Sequence, residues 1–394
     1  MCLWFSLPCC LRRGSNVVHT MFKKVCRFIR QHQKKILVGG GVMVGVLWLN
    51  KYLHSKLVDF EFKRTTEYVE QLKKQQHFEG TLQTCDSSTI SLVPKVWEHL
   101  LMLLDFDQVL DMLKIKSGNK LQLWEELKIN IISYAVCEVY ATSLFVMFMR
   151  VQLSVIGGYM YVDTHWQKSE NGINFPLATA EVQQKYLACI QHFLDIGVKQ
   201  LVRLVSEAVK KQFGSVSLKD NLFLKDFHSL LQNVKLDIAG THGVIPKVSE
   251  YLLPDDPAHL PSGSSASTTP LVLSKLLVET SDILESPDFV KVLSSCVDQG
   301  YGALLDKLSE CYFHINQSNK DRFTNPYNVN VPLAKVIPVL KKVLQDVPVE
   351  DKSLFTYQLL QLELLKSFSA NIYEAFSQSV EDSNHSLNKQ VQTV

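Results

Sequence analysis

The stretch Ile36 to Leu49, ILVGGGVMVGVLWL, carries no charge and is bracketed by basic residues, and it limits what the whole chain can become. Such a run near an N-terminus is a membrane anchor, a signal-peptide core or a buried helix. A bilayer span takes roughly 20 apolar residues, and a run of about 10 to 14 sits at the lower edge. Spanning length is reached when Asn50, Tyr52 and Leu53 extend the helix and Lys34, Lys35, Lys51 and Lys56 carry their charges to the two interfaces. A signal peptide fits less well, because the basic region ahead is long and no small-x-small cleavage site follows. Gly39, Gly40, Gly41 and Gly45 resemble a nucleotide loop, but that fingerprint needs a strand before it and a helix after it. Glycine is common in membrane helices. The sequence therefore predicts a transmembrane anchor over 36–53, with most of the chain held at a membrane surface.

The basic residues are polarised. Arg12, Arg13, Lys23, Lys24, Arg27, Arg30, Lys34 and Lys35 precede the apolar run with no acid among them. Residues 1–35 thus form a basic leader. Its candidate targeting residues are Lys23, Lys24, Arg27, Arg30, Lys34 and Lys35, attracted to anionic headgroups or read by a receptor. The net charge is only +2, whereas nucleic-acid binders concentrate a much larger basic excess on one face. No nucleic-acid partner is expected.

Nine cysteines, Cys2, Cys9, Cys10, Cys26, Cys85, Cys137, Cys189, Cys296 and Cys311, include no C-x-x-C pair and have no regular spacing. That pattern argues against a disulfide framework and against zinc, and it favours reducing cytosol for the bulk of the chain. Cys2, Cys9 and Cys10 are open to acylation, although free thiols in a leader explain them as well.

After the anchor the text is helical. Val93 to Leu113, Lys120 to Ile132 and Val182 to Phe213 place apolar residues three and four apart, with little alternation of period two. Thr179, Thr269 and Ser286 stand where N-caps belong, the last two directly before proline. Tyr134 to Val155 is apolar enough to invite a second membrane span. Glu138, Arg150 and Gln152 argue for a core helix instead, since they would be costly in lipid but can find partners inside a bundle. Gly240 to Thr269, with four prolines and the run SGSSASTT, reads as a flexible loop, and Asn316 to Val331 is a second polar break. Helices are expected again over Pro270 to Leu284, Phe289 to Phe313, Leu333 to Val347 and Leu354 to Phe376, with Pro338 kinking or restarting the third. Residues 377–394 form a polar tail. The predicted fold class is all-α: one N-terminal transmembrane helix followed by a helical bundle over 54–376.

Catalytic signatures are missing: there is no G-x-S-x-G elbow, P-loop, H-E-x-x-H or His/Cys ligand set. No enzyme activity, cofactor, metal or small-molecule substrate is expected. The more informative stretch is Leu110 to Lys128, LDMLKIKSGNKLQLWEELK, in which two helices flank a turn at Ser117, Gly118 and Asn119. Leu110, Leu113, Leu123, Trp124 and Leu127 supply apolar bulk, and Lys114, Lys116, Lys120 and Lys128 surround them. A lysine-rimmed apolar cleft suits an amphipathic partner helix with acidic edges. On spacing alone, however, Leu123, Trp124, Leu127 and Ile131 are an ordinary core stripe.

This stretch, with QQHFEGTLQTC at Gln75 to Cys85, RVQLSVIGGYMYVD at Arg150 to Asp163, GSVSLK at Gly214 to Lys219, ESPDF at Glu285 to Phe289, PLAKVIP at Pro332 to Pro338 and ANIYEAF at Ala370 to Phe376, is similar to the peroxisomal biogenesis factor three (peroxin three) family in its vertebrate form. The similarity is collinear over about Met21 to Phe376; Met1 to Thr20 has no counterpart, and Leu110 replaces a smaller polar residue. The resemblance implies a single-pass peroxisomal membrane protein with an all-helical cytosolic domain. That domain would dock peroxin nineteen, the soluble chaperone of newly made peroxisomal membrane proteins. It implies a groove containing Leu113, Lys114, Lys120 and Trp124, to which Leu110 is added by position, and a Trp124 at least partly exposed. The lysine flanks, by the positive-inside rule, would instead put the leader in the cytosol and the domain across the membrane. Cysteine usage sides with the family. The competing reading is a membrane-anchored lipid-binding protein, motivated by the apolar Tyr134 to Val155 helix and the basic leader.

Overall fold

The computed structural model describes residues 15–115, 119–166, 179–240, 243–254, 269–317, 325–345 and 349–378, the first 36 of these, 15–50, by backbone alone. The chain divides into two units, residues 1–73 and 74–394. Helix α1 (Ser15–Leu103) takes in residues 15–73 of the first, including the predicted anchor, and residues 74–103 of the second. Tyr52, Leu57, Phe60, Phe62 and Tyr68 on the first part of α1 are exposed.

The second unit is built around α3 (Lys120–Trp166). Its middle section is apolar and buried on every side, so it is the core helix rather than a membrane span. Polar groups on such a helix are tolerated only when paired. Glu138 receives Lys307 at 3.2 Å, and the Gln152 side chain donates to the Tyr186 carbonyl at 2.8 Å. Arg150, 1% exposed, pairs with Asp86 of α1 at 2.6 Å and donates to the Leu360 carbonyl at 3.3 Å. Trp97 of α1 donates its indole N–H to Thr142 at 3.1 Å, a second tie between the two helices.

Around α3 pack α2 (Phe106–Lys114), α4 (Ala180–Leu187), α6 (Val198–Phe213), α9 (Thr269–Leu284), α10 (Pro287–Gln317), α11 (Leu333–Gln345), α12 (Val349–Leu360) and α13 (Glu363–Phe376). The caps act as their residue types dictate. Thr179 Oγ1 accepts the Val182 N–H at 3.3 Å, and Ser286 Oγ accepts that of Phe289 at 3.2 Å behind Pro287 at the first helical position. Two three-residue strands, β1 (Asn221–Phe223) and β2 (Asn330–Pro332), pair antiparallel with Leu222 opposite Val331. α7 (Leu224–Ala239) follows β1 directly.

Three expected helices are interrupted, one by a local cap and two by contacts from distant parts of the chain. Val93 to Leu113 breaks after α1 because Asp105 caps a new helix, its carboxylate accepting the Gln108 N–H at 3.0 Å. Val182 to Phe213 becomes α4, the single turn α5 (Cys189–His192), a π-helical turn at Phe193–Gly197 and α6. There the carbonyl of Tyr251 approaches so closely that a Cβ on Gly197 would lie 2.0 Å from it. Leu354 to Phe376 splits after Leu360, whose carbonyl turns to the buried Arg150. Pro338 sits inside α11, which continues to Gln345.

The stretch read as a flexible loop, 240–269, is structured in part. Residues 243–254 contain α8 (Val248–Leu252) and bury Val244, Ile245, Val248 and Leu252, apolar residues that composition alone had hidden among prolines and serines. Residues 241–242 and 255–268, and the tail from 379, lie outside the described residues.

Gly157 and Gly158 mark a close contact on α3. A Cβ on Gly157 would sit 2.8 Å from Thr81 Cγ2, and one on Gly158 2.7 Å from Phe376 Cβ. Three of the stretches quoted above, 75–85, 150–163 and 370–376, meet here; the His77 ring and the Tyr373 hydroxyl lie 2.8 Å apart.

Asp86→Asn leaves the buried Arg150 guanidinium without its counter-charge. The expected loss is about 2–3 kcal/mol of unfolding free energy, discounted because Asp86 is one-third exposed. Urea titration of the detergent-solubilised chain checks it.

Candidate partner-binding site

Helix α2 has a wider apolar face than the core can cover. Phe106 and Val109 are buried, with Phe106 edge-on to Tyr134 of α3 at 5.6 Å, whereas Leu110, Met112 and Leu113 stand half-buried between core and solvent. Its other face is charged. Lys114 pairs with Asp111 at 2.8 Å, and that hydrogen bond and charge hold the ammonium above its ordinary range. From α11, Lys341 reaches Asp107 at 2.7 Å and lies over the Phe106 ring at 5.6 Å, fixing the start of α2.

The first turns of α3 resemble α2 in being incompletely covered. Asn119 Oδ1 accepts the Leu121 N–H at 3.1 Å and starts the helix. Lys120 and Leu121 are exposed, Leu123 and Trp124 half-buried, and full burial begins only at Leu127 and Lys128. Since α2 packs along α3, Leu110, Leu113 and Trp124 border one core and face outward from it, while Lys114 and Lys120 are exposed.

Two apolar residues belong to this surface that the sequence reading did not single out. Ile115, at the end of α2, is 76% exposed, and Leu121, three residues before Trp124 and so on its side of the helix, is 65% exposed. The signal for Leu121 was available: it lies off the Leu123, Leu127, Ile131 stripe of α3 that faces the core. Lys128, expected on the rim, is instead fully buried. Its ammonium donates to the Val216 carbonyl at 2.7 Å and pairs with Glu125, so it is a tie and not a rim charge. Lys116, Ser117 and Gly118 lie outside the described residues, as do the side chains of Lys23, Lys24, Arg27, Arg30, Lys34 and Lys35.

A hollow of about 570 Å³ lies elsewhere, lined by Gly243, Val244, Glu285, Val290, Lys291 and Ser294 among others. None of the expected partner-binding residues lines it.

The thiols offer no nucleophile at this surface. Cys85, Cys137, Cys189, Cys296 and Cys311 are free and buried. Burial pushes Cys85 up to about 11 and Cys189, Cys296 and Cys311 up to about 12, and raises Cys137 as well.

The fold defines a class: an all-α protein in whose described part Ile115 and Leu121 are exposed and Leu110, Leu113 and Trp124 half-buried, with Lys114 and Lys120 exposed, at the ends of two packed helices. Family comparison makes this specific. The Peroxin-3 family model matches residues 27–120 and 114–375. The chain is 36% identical over 369 residues to "Peroxisomal biogenesis factor 3" of Bos taurus and, equally, of Homo sapiens, covering 91% of this chain and 98% of each relative. It is 24% identical over 366 residues to "Peroxisome biogenesis protein 3-1" of Arabidopsis thaliana, covering 87% of this chain and 96% of that protein. The chain belongs to the Peroxin-3 family of peroxisome biogenesis factors, and stands nearer its mammalian members than this plant one.

The buried thiols lead to a labelling prediction. Cys85, Cys137, Cys189, Cys296 and Cys311 resist maleimide in the native chain at pH 7 and react once it is unfolded; mass spectrometry of labelled peptides checks this. The same shifts set a pH limit. Below the ordinary thiol value of 9.0 both states hold these protons; between there and about 11 for Cys85, or about 12 for Cys189, Cys296 and Cys311, only the native state does, so stability falls with rising pH.

Proposed function

We propose that the protein is a docking receptor of the peroxisomal membrane that binds the chaperone peroxin nineteen and serves insertion of peroxisomal membrane proteins. The observation that carries this reading is the uncovered apolar strip. Leu110, Leu113 and Trp124 are half-buried against the core, and Lys114 and Lys120 flank them in water. An amphipathic helix laid on this strip would bury its apolar face on Trp124 and Leu113 and set acids against the lysines. Ile115 and Leu121 extend the area available to it.

The segment 36–53 of α1 is read as the anchor, with the basic leader 1–35 as its address, residues 54–376 as the docking domain in the cytosol and 377–394 as a polar tail. Peroxisomal lipid is then the second partner. On this reading the protein acts by binding rather than by catalysis; the described thiols are buried and held protonated. The lipid-binding alternative loses one of its two motives, because Tyr134 to Val155 is packed as core.

Trp124→Ala is expected to weaken binding of the peroxin nineteen N-terminal helix by at least about 2 kcal/mol, the scale of an aromatic hot spot, with helicity retained. Fluorescence anisotropy with a labelled peptide, beside circular dichroism of the variant, tests it. Unchanged affinity would mean the partner docks elsewhere. Protease added to intact peroxisomes should degrade the domain after residue 54; its protection would reverse the orientation.

A further inference from the structure

Resting on the docking reading above, we infer that Lys128 is a positioning residue for the partner-binding strip: its buried ammonium, joined to the Val216 carbonyl and to Glu125, holds the Trp124 turn of α3 in place.

The case begins with where burial starts. Residues 120–126 at the start of α3 are exposed or half-buried, and the helix enters the core only at Leu127 and Lys128. Trp124 therefore sits on a projecting end, supported by α2 on one side. Lys128 is one turn further on and on the same face, the i, i+4 relation. With no exposure at all, it reaches across to Val216 at 2.7 Å in the loop that follows α6.

That loop is itself immobilised. Ser217 N–H donates to Asp220 at 2.8 Å, the Asp220 carbonyl accepts from Leu333 N–H at 3.0 Å, and the Leu218 carbonyl accepts from Ala334 N–H at 2.9 Å. Leu333 and Ala334 open α11, whose Lys341 grips Asp107 and Phe106 of α2. The two walls of the strip, α2 and the start of α3, are thus joined twice: directly, and around the back through Lys128, the 214–220 loop and α11.

The chemistry of the link explains why a lysine is there. Burying an ammonium is costly, and an apolar side chain of similar volume is often as stable or more so. What an apolar side chain lacks is direction. An ammonium that must meet the Val216 carbonyl, on a loop outside the helix, accepts one rotation and one height of the helix, while Glu125, three residues back on α3 itself, supplies the counter-charge.

The test is peptide titration of the full chain in detergent, using the N-terminal helix of peroxin nineteen, in a cycle of Lys128→Met, Trp124→Ala and both together. Lys128→Met is expected to lower affinity about tenfold, mainly through faster dissociation. In the Trp124→Ala background the same change should cost less than twofold, because Lys128 acts through the tryptophan. Equal losses in both backgrounds, or none in either, overturn the positioning role. If Lys128→Met does not fold, Glu125→Gln replaces it, keeping the lysine and removing its counter-charge. A severalfold loss that vanishes without Trp124 supports the proposal; unaltered affinity refutes it. Trp124→Ala alone separates the two levels: if it binds as the parent does, the docking reading fails, whereas a normal Trp124→Ala loss with an inert Lys128 defeats only the positioning role.

Discussion

The pairing of Arg150 with Asp86 is the constraint on which the second unit turns. A helix 47 residues long and enclosed by neighbours over its middle turns has no water to offer a guanidinium, so partners must come from other elements. Asp86 supplies charge from α1, and the last carbonyl of α12 supplies a hydrogen bond from a helix C-terminus, where the backbone dipole favours a cation. Three elements far apart in the chain are thereby placed with respect to one another. Glu138 with Lys307 and Gln152 with the Tyr186 carbonyl repeat the device toward α10 and α4.

The same economy shapes the surface proposed to bind the partner. Where α3 is enclosed, Glu138, Arg150 and Gln152 reach partners on other elements; where it projects, Leu121 is exposed and Trp124 half-buried. Trp124 lies at that boundary, and Lys128 lies just inside it. A receptor surface needs apolar area that remains uncovered without loosening the element that bears it. On the reading proposed above, the projecting turns are held by the ties of Lys128 and Lys341, and the apolar groups stay open to a partner.

Much of the helical fold was legible in the sequence because its determinants are local. Three- and four-residue periodicity marks the helices, and Thr179 and Ser286 mark two of their starts. Glu138, Arg150 and Gln152 separated a core helix from a membrane span. The interruptions were not legible. Asp105 could be read as one more polar residue of a long helix, and the π-helical turn depends on Tyr251, more than fifty residues away from Gly197, arriving against its backbone. The packed section at 243–254 was missed because proline and serine content describes the backbone's freedom, and says nothing of where Val244, Ile245 and Leu252 find cover.

By itself, the sequence determined the helical class, the position of an uncharged run near the N-terminus and the family; these rest on local periodicity, composition and long shared stretches. Only tertiary structure decided which lysine faces water and which is buried. Lys114, Lys120 and Lys128 are equivalent as letters beside leucine and tryptophan. Their environments differ because the loop carrying Val216 folds back over one of them and leaves the other two exposed, and the energy of a charge is set by what surrounds it.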